Sequence, residues 1–382
     1  MDKFSFLKPA LDARAQQGRL RNLQPLLPLP QSRVLWQGRS LVNLSSNDFL
    51  GLSEHPLLAT RAQEYLTRFG AGSRASRLVT GELPAFAELE SRLATFKGKP
   101  AAAIFNSGFQ ANVTLPLLFA GANDLILMDK LIHHSLIQGA LLAKAQVQRF
   151  RHNDLNHLEQ LLSQANQKSY QRILLCTESV FSMDGDLADL PALQALADRY
   201  NAILLVDEAH ATGVMGEQGQ GLAQGADLVM GTFGKALGCF GAYLACPQLV
   251  KQHLINFGGG FIYSTALPPQ VLGAIDAALE LVPHLHAERA HLQAISAQLR
   301  QGAQGLGWDV GASQSQIIPL MAGSEDRALA LMEHLREQGF WVSAIRPPTV
   351  EAGKSRLRVA LNALITAEVV RDFLQALQGF RG

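Results

Sequence analysis

The sequence has few cysteines and almost no net charge. Its 382 residues include three cysteines, Cys176, Cys239 and Cys246, and no two are spaced as a CxxC pair. Lysine and arginine total 33 against 32 aspartates and glutamates, so no overall field attracts nucleic acid or an anionic membrane. We therefore expect reduced thiols and neither a nucleic-acid nor a membrane partner.

Long apolar runs and several familiar motifs are also absent. No apolar run approaches the roughly 18 residues of a membrane span, and residues 1–5 (MDKFS) lack the apolar stretch of a signal peptide. These absences predict a cytoplasmic protein. The nucleotide-binding motifs GxxxxGKS and GxxxxGKT do not occur, and His133-His134 has no third ligand at a familiar metal spacing, so no metal site is predicted.

What the sequence does contain is an alternation of apolar strand candidates with helix-length amphipathic segments. Hydrophobic residues make up 48% of the chain and charged residues 17%, a composition typical of compact globular enzymes. The alternation predicts an α/β fold with a large, mainly parallel sheet and helices on both faces. The predicted strands lie at 101–106, 124–128, 172–178, 202–207, 227–232 and 242–246.

The composition along the chain predicts three parts. Residues 1–45 form an arm, with a polar helix over 7–23 and then a proline-punctuated segment that cannot be helical. Residues 46–281 form a large domain, and 282–382 form a smaller α+β domain. A helical stretch over 272–306 joins the two. In the smaller domain, strands are predicted at 316–320 and 356–360 and helices at 325–337 and 366–377.

Two apolar runs lead into the residues with the clearest chemistry. The run AILLVD ends at Asp207, with His210 shortly after, and the run DLVMGT leads through Thr232 to Lys235. In an open α/β sheet, ligands bind beyond the carboxyl ends of the strands. An acid for a protonated pyridine nitrogen and an amine for a Schiff base are what pyridoxal phosphate (PLP) requires of a protein. The pair predicts a PLP enzyme.

Other residues can complete such a site, although each also has an ordinary structural interpretation. A strand, a turn and a helix start are predicted over 101–112, where free N–H groups near Gly108 can bind phosphate or can simply belong to a capped helix. His133 can stack on a cofactor ring or begin a helix. His210 can contact the cofactor or be an ordinary core or surface histidine. Asp207 has a less favoured alternative as an N-cap or an arginine partner. Ser182 lies in a polar loop after a strand, where functional groups are expected.

Six motifs together resemble the α-oxoamine synthases, a fold-type I family of PLP enzymes, over nearly the whole chain. They are SSNDFLGL at 45–52, NSGF at 106–109, FSMDGD at 181–186, TFGK at 232–235, IYST at 262–265 and IRPPTV at 345–350.

The resemblance implies a role for each matching residue. Lys235 forms the Schiff base and moves the substrate proton, Asp207 pairs with the pyridine nitrogen, and His133 stacks on the ring. Residues implied in cofactor binding are Gly108, Phe109, His133, Ser182, Asp207, His210, Thr232, Lys235 and Thr265, the last reaching a partner subunit's phosphate. Residues implied in substrate binding are Arg21, Asn47, His133, Arg346, Thr349 and Arg358.

The resemblance also implies a reaction. It favours the branch that joins L-alanine to a pimeloyl thioester, on coenzyme A or acyl carrier protein, by decarboxylative Claisen condensation in biotin biosynthesis. It implies a homodimer with the active site between subunits. A glycine-using sister synthase such as 2-amino-3-oxobutyrate CoA ligase is the alternative. A non-catalytic partner subunit is disfavoured, because it would have lost Lys235 or His133.

Overall fold

The computed structural model describes residues 2–168 and 170–381. The helices are α1 Lys8–Gln16, α2 Pro56–Phe69, α3 Pro84–Lys97, α4 Gly108–Phe119, α5 His134–Leu142, α6 Leu155–Asn166, α7 Leu190–Arg199, α8 Gln248–Phe257, α9 Gly259–Ile262, α10 Pro269–Leu281, α11 His286–Gly305, α12 Glu325–Glu337 and α13 Ala367–Gln378. The strands are β1 Leu27–Leu29, β2 Arg33–Trp36, β3 Arg39–Asn43, β4 Ala101–Phe105, β5 Leu125–Asp129, β6 Gln146–Phe150, β7 Ile173–Glu178, β8 Ile203–Asp207, β9 Leu228–Thr232, β10 Ala242–Cys246, β11 Ile317–Gly323, β12 Phe340–Trp341, β13 Ser343–Ile345 and β14 Ser355–Ala360.

The chain divides into two compact units. The large unit consists of Asn47–Ser182 and Leu187–Ala290. The small unit consists of the chain up to Ser46, the short segment Met183–Asp186 and the chain from His291 onward. The predicted three-part division, with a separate arm and borders at 45 and 281, stays a prediction.

The large unit is built on a seven-stranded sheet in the order β4-β10-β9-β8-β7-β5-β6. The four neighbouring pairs from β9 to β6 are parallel, whereas β10 runs antiparallel to both β4 and β9. This confirms the predicted α/β fold with a mainly parallel sheet. All six predicted strands of this sheet occur within a residue of their expected bounds. The edge strand β6 was not predicted.

Central strands of the sheet are buried along their whole length and mostly apolar, as expected of parallel strands covered on both faces. Every residue of β5 and β7 is buried. Helices α4 and α5 contribute Leu115 and Leu136 to the same core cluster as Met128 and Leu205. This packing fixes the carboxyl ends of β4, β5, β7, β8 and β9 at one edge of the sheet.

The small unit contains a four-stranded sheet, β1-β2-β3-β12, and a three-stranded sheet, β11-β14-β13. Strands β11 and β14 and helices α12 and α13 confirm the elements predicted for this part of the chain.

The predicted helix over 7–23 is wrong in its second half. Helix α1 ends at Gln16, and Gly18 has a φ of +63°, a left-handed conformation that ends a helix. The predicted helical stretch over 272–306 is present but interrupted by a 3₁₀ turn at Val282–His284, which contains Pro283. Among the described residues, the helices are all too short or too polar to cross a membrane.

Candidate active site

A lysine and a histidine meet beyond the carboxyl edge of the large sheet. β8 ends at Asp207 and the parallel β9 ends at Thr232, so the segments that follow them leave from the same edge. The Lys235 Nζ lies 2.7 Å from His210 Nε2. The structure thus brings Asp207, His210, Thr232 and Lys235 to one edge of the sheet.

Asp207 is buried and accepts two amide donors. Its Oδ1 accepts the backbone N–H of Ala209 at 2.8 Å, and its Oδ2 accepts the Asn112 Nδ2 amide at 2.8 Å. These two contacts fix the orientation of the Asp207 side chain at the end of β8.

The side chain of Asn112 also connects Asp207 to His133. Its Nδ2 donates to Ser135 Oγ at 3.0 Å, and Ser135 Oγ lies 2.7 Å from His133 Nδ1. Because an amide nitrogen can only donate, the Ser135 hydroxyl proton is left for His133 Nδ1. This assignment makes Nδ1 the acceptor and places the ring proton on Nε2.

His133 is the N-cap of α5, and the residue as a whole is exposed. Partial desolvation lowers the pKa of His133, while the nearby Asp207 carboxylate acts in the opposite direction. Both the helix-start and ring-stacking interpretations therefore remain compatible with its position. His134 contacts Gln138 at 3.0 Å, and no three metal-ligating side chains converge in the part of the chain that the structure describes.

The predicted phosphate site has the expected strand–turn–helix form. Ser107 caps α4 by accepting the Gln110 N–H at 3.2 Å, and Gly108 is the first helical residue. Phe109 is 56% exposed. Thr265 is brought beside this turn, because its carbonyl oxygen accepts the Asn106 Nδ2 amide at 2.6 Å.

Thr232 shapes the lysine turn. Its Oγ1 donates to the Gly241 carbonyl at 2.7 Å and accepts the Gly234 N–H at 3.1 Å. The threonine therefore holds the backbone on both sides of Lys235.

Ser182 and Asn47 also belong to the large unit. Ser182 is buried in the chain that follows β7. The Asn47 carbonyl accepts the Phe49 N–H at 2.8 Å, and the Phe49 ring centroid lies 5.8 Å from that of His210. Asn47 is thus two residues from a ring that packs on the lysine's partner.

The other predicted substrate residues lie in the small unit. Arg21 Nη2 donates to Thr349 Oγ1 at 2.8 Å, and Arg346 donates to the Gly18 carbonyl. Burial and then the neighbouring positive charge of Arg21 lower the pKa of Arg346. Arg358 is buried in β14. Two arginines and a threonine thus gather at one place, which suits an anionic group.

The sequence reasoning assigned no role to Asn112, Ser135 or Glu178. All three are buried, and Glu178 is paired in register with Asp207. The available signals were weak: Asn112 follows Gly108 by one helical turn, and Ser135 follows His133 closely. These three residues come near the site through contacts between segments that are distant in sequence, which local sequence patterns do not reveal.

The family model described as aminotransferase class I and II matches residues 39–377. The chain belongs to this family. Similar family members are a putative 8-amino-7-oxononanoate synthase of Desulfosudis oleivorans, 49% identical with all of both chains covered, and the 8-amino-7-oxononanoate synthase of Gluconacetobacter diazotrophicus, 50% identical over 98% of this chain and 96% of the relative. The resemblance to the α-oxoamine synthases is confirmed.

Solved structures share the fold of this chain. The serine palmitoyltransferase of Sphingomonas wittichii superposes with a TM-score of 0.93 at 29% identity, covering 99% of this chain and 98% of that one. The 8-amino-7-oxononanoate synthase of Francisella tularensis superposes with a TM-score of 0.76 at 27% identity, covering 88% and 97%. A structure of SPT with PLP as an internal aldimine superposes with a TM-score of 0.91 at 26% identity, covering 98% and 96%.

Proposed function

We propose that this protein is a PLP-dependent acyltransferase that condenses L-alanine with a pimeloyl thioester to give 8-amino-7-oxononanoate, CO2 and the free thiol in biotin biosynthesis. The observation that carries the proposal is the Lys235–His210 contact beside the buried Asp207. The chain that contains this contact is 49% identical to a putative 8-amino-7-oxononanoate synthase, and the match covers all of both chains.

The donor set of the site fits PLP. Asp207 offers a carboxylate to a ring nitrogen, Lys235 an amine to an aldehyde, and the start of α4 free N–H groups to a phosphate. His133 is exposed for ring stacking, Ser182 and His210 suit the phenolic oxygen, and Gly108, Phe109, Thr232 and Thr265 suit the phosphate end. When bound, PLP supplies an electron-withdrawing ring that makes the α-proton of the amino acid acidic.

The protein's own groups then have separate tasks. The Lys235 Nζ removes the α-proton of L-alanine and later returns a proton to the same carbon. His210, 2.7 Å from that nitrogen, orients the amine. The deprotonated α-carbon forms a bond to the thioester carbonyl carbon and the thiolate leaves; the alanine carboxylate then departs as CO2, leaving its bonding electrons on the α-carbon.

Substrate recognition is assigned to anion-binding side chains. Arg358 and Arg346 are the candidates for the amino-acid carboxylate, and Arg21 for the distal carboxylate of the pimeloyl group, with Thr349 and Asn47 assisting. The hydrogen bond from Arg21 to Thr349 supports a shared role for that pair.

We further propose a cytoplasmic homodimer, with Thr265 serving the partner's phosphate site. Tyr263, two residues from Thr265, is 88% exposed. Large exposed aromatic side chains are enriched at protein interfaces, which supports this surface as the dimer contact.

The test is the visible spectrum of purified protein with PLP, titrated separately with L-alanine, glycine and L-serine and then with pimeloyl-coenzyme A or pimeloyl-acyl carrier protein. We expect a cofactor band that responds best to L-alanine, with product formed from the pimeloyl thioester. A preference for glycine would move the protein to a sister synthase. Lys235→Ala should remove the lysine-dependent band, and a native protein without any band would overturn the proposal.

A further inference from the structure

Glu178 is a buried carboxyl group beside the proposed catalytic acid. It ends β7 and is paired in register with Asp207, which ends β8. Its exposed fraction is 2%. Two acids are thus held side by side at the edge where the cofactor is proposed to bind.

The two acids have unequal hydrogen-bond partners. Asp207 accepts two amide donors. The backbone N–H of His133 lies near Glu178 and acts to lower its pKa, and the buried Oε1 of Glu178 has no hydrogen-bond partner among the described residues. A buried carboxylate oxygen without a donor is costly, whereas a protonated carboxyl is much less so.

We propose that Glu178 is a positioning residue that stays protonated in the folded protein, holding the His133 backbone while leaving Asp207 as the charged acid next to the cofactor's ring nitrogen. The inference rests on the proposed function and deepens it. When two adjacent carboxyl groups have different surroundings, their pKa values move apart. One group can then stay protonated while the other stays ionised.

The charges facing Glu178 support this division. Burial first, and then the Asp207 carboxylate, raise the pKa of Glu178 well above its ordinary value, and Asp129 at the end of β5 adds to the rise. Lys235 and the His133 N–H act in the opposite direction. Asp129 is itself satisfied, because it accepts the N–H groups of Leu131 and Asn153.

The segment that Glu178 holds is the start of α5, where His133 is the N-cap. The ring of His133 is held at Nδ1 by Ser135, and the proposal assigns the His133 backbone N–H, which lies near Glu178, to the Glu178 carboxyl group. Losing the Glu178 acceptor therefore frees the backbone that carries the stacking ring, even though the Asn112–Ser135 bridge remains.

The experiment compares the PLP-loaded native protein with Glu178→Gln and Glu178→Ala. Glutamine keeps a neutral acceptor of the same shape, so we expect cofactor affinity close to that of the native protein. Alanine removes the carboxyl group that we propose to hold the His133 backbone, and we expect cofactor affinity to fall about tenfold. Equal losses of cofactor affinity in Glu178→Gln and Glu178→Ala would overturn the inference that Glu178 is protonated. An unchanged cofactor affinity in Glu178→Ala would overturn its positioning role.

A second readout does not depend on cofactor binding. The infrared difference between native and Glu178→Gln proteins at neutral pH should contain the C=O band of a protonated carboxyl group. A carboxylate band in its place would overturn the inference. Failure of the native protein to take up PLP would instead overturn the proposed function, and absorbance reports it separately.

Discussion

At the scale of single residues, the site is held by amide and hydroxyl groups rather than by ion pairs. Asn112 donates both hydrogens of its amide, one to the proposed catalytic acid and one to the serine that orients His133. One side chain thereby holds two groups to which different contacts with the proposed cofactor are assigned. The same arrangement sets the tautomer of the imidazole.

Asn112→Ala should therefore weaken function more than an ordinary surface change. It leaves Asp207 with one of its two donors and Ser135 with no amide donor, and we expect a loss of about 1–3 kcal/mol in the free energy of unfolding. Cofactor affinity, measured by absorbance titration, should fall about tenfold. The control is Asn156→Ala at an exposed position of α6, which should match the native protein; equal behaviour of the two variants would contradict the prediction.

Glu178 predicts a specific pH dependence of stability. Its pKa is raised in the folded protein, so its contribution to stability is full below the unfolded pKa of about 4.3 and is lost as pH rises through the folded pKa. Relative to Glu178→Gln, native stability should fall by up to about 1.4 kcal/mol per pH unit within that window. Melting temperatures of both proteins across this range test it, and a constant difference would contradict it.

At the scale of elements, the loop after β8 is anchored by a buried ion pair between Glu208 and Lys97. Glu208 accepts the Lys97 ammonium at 2.5 Å and the N–H groups of Leu222 and Ala223. Burial is the largest influence and acts to lower the pKa of Lys97, but the charge of Glu208 and the contacts with Glu208 and Tyr243 together offset it, and the pKa is raised. The acid next to Asp207 is thus engaged in holding the loop.

Lys97→Met should be strongly destabilising, since it leaves the Glu208 carboxylate buried without its cation. We expect a cost of about 3–5 kcal/mol, visible as a lower melting temperature. Adding Glu208→Gln to this variant should recover much of the loss, because glutamine removes the buried charge and keeps an oxygen for the loop N–H groups. A Lys97→Met protein with the same melting temperature as the native protein would refute the stabilising role of the Lys97–Glu208 pair.

The closeness of α4 and α5 depends on one glycine. A Cβ at Gly139 would lie 2.6 Å from the carbonyl oxygen of Asn112 and 2.8 Å from that of Val113. The helices that carry Asn112 and Ser135 can approach closely only because this Cβ is missing.

Gly139→Ala should force these helices apart and destabilise the protein by about 1–3 kcal/mol, with weaker cofactor binding. The matched control is Gly305→Ala in α11, where nothing lies within 4 Å of the added Cβ and the change should be neutral or slightly stabilising. Thermal melting of both variants decides the point, and an unaltered Gly139→Ala protein would show that the helices can shift freely.

At the scale of the whole molecule, the apolar strands of the large sheet could be predicted because burial on both faces leaves a continuous signal. β6 (QVQRF) alternates polar residues at the sheet edge and has no such signal. The predicted helix extended beyond Gln16 because the sequence there is a polar run. In the structure Gly18 has a left-handed conformation, and its carbonyl accepts a hydrogen bond from Arg346, a contact that exists only in the folded chain.

The candidate site divides in the same way. Residues next to strand ends, such as Asp207 and Lys235, could be placed from local sequence because the sheet topology dictates where strand ends lie. The Asn112–Ser135–His133 connection could not, since it joins segments whose proximity depends on helix packing. The individual roles of the cofactor and substrate residues stay predictions for the experiments above.

The antiparallel strand β10 has a consequence for the order in which this protein can fold. β4 pairs with β10 alone in the described sheet, and β10 also forms the outer neighbour of β9. Strand β4 is therefore translated long before β10, its only neighbour in the described sheet. Until β10 is available, the edges of β4 and β9 that pair with it have unpaired backbone N–H and C=O groups. In pulse-labelled hydrogen exchange during refolding, β4 amides should gain protection no earlier than those of β10, whereas β5 and β7 can be protected first; early protection of β4 would contradict this order. We expect the nascent chain to be most prone to aggregation until the chain has been translated to residue 246, when β10 can pair with both β4 and β9.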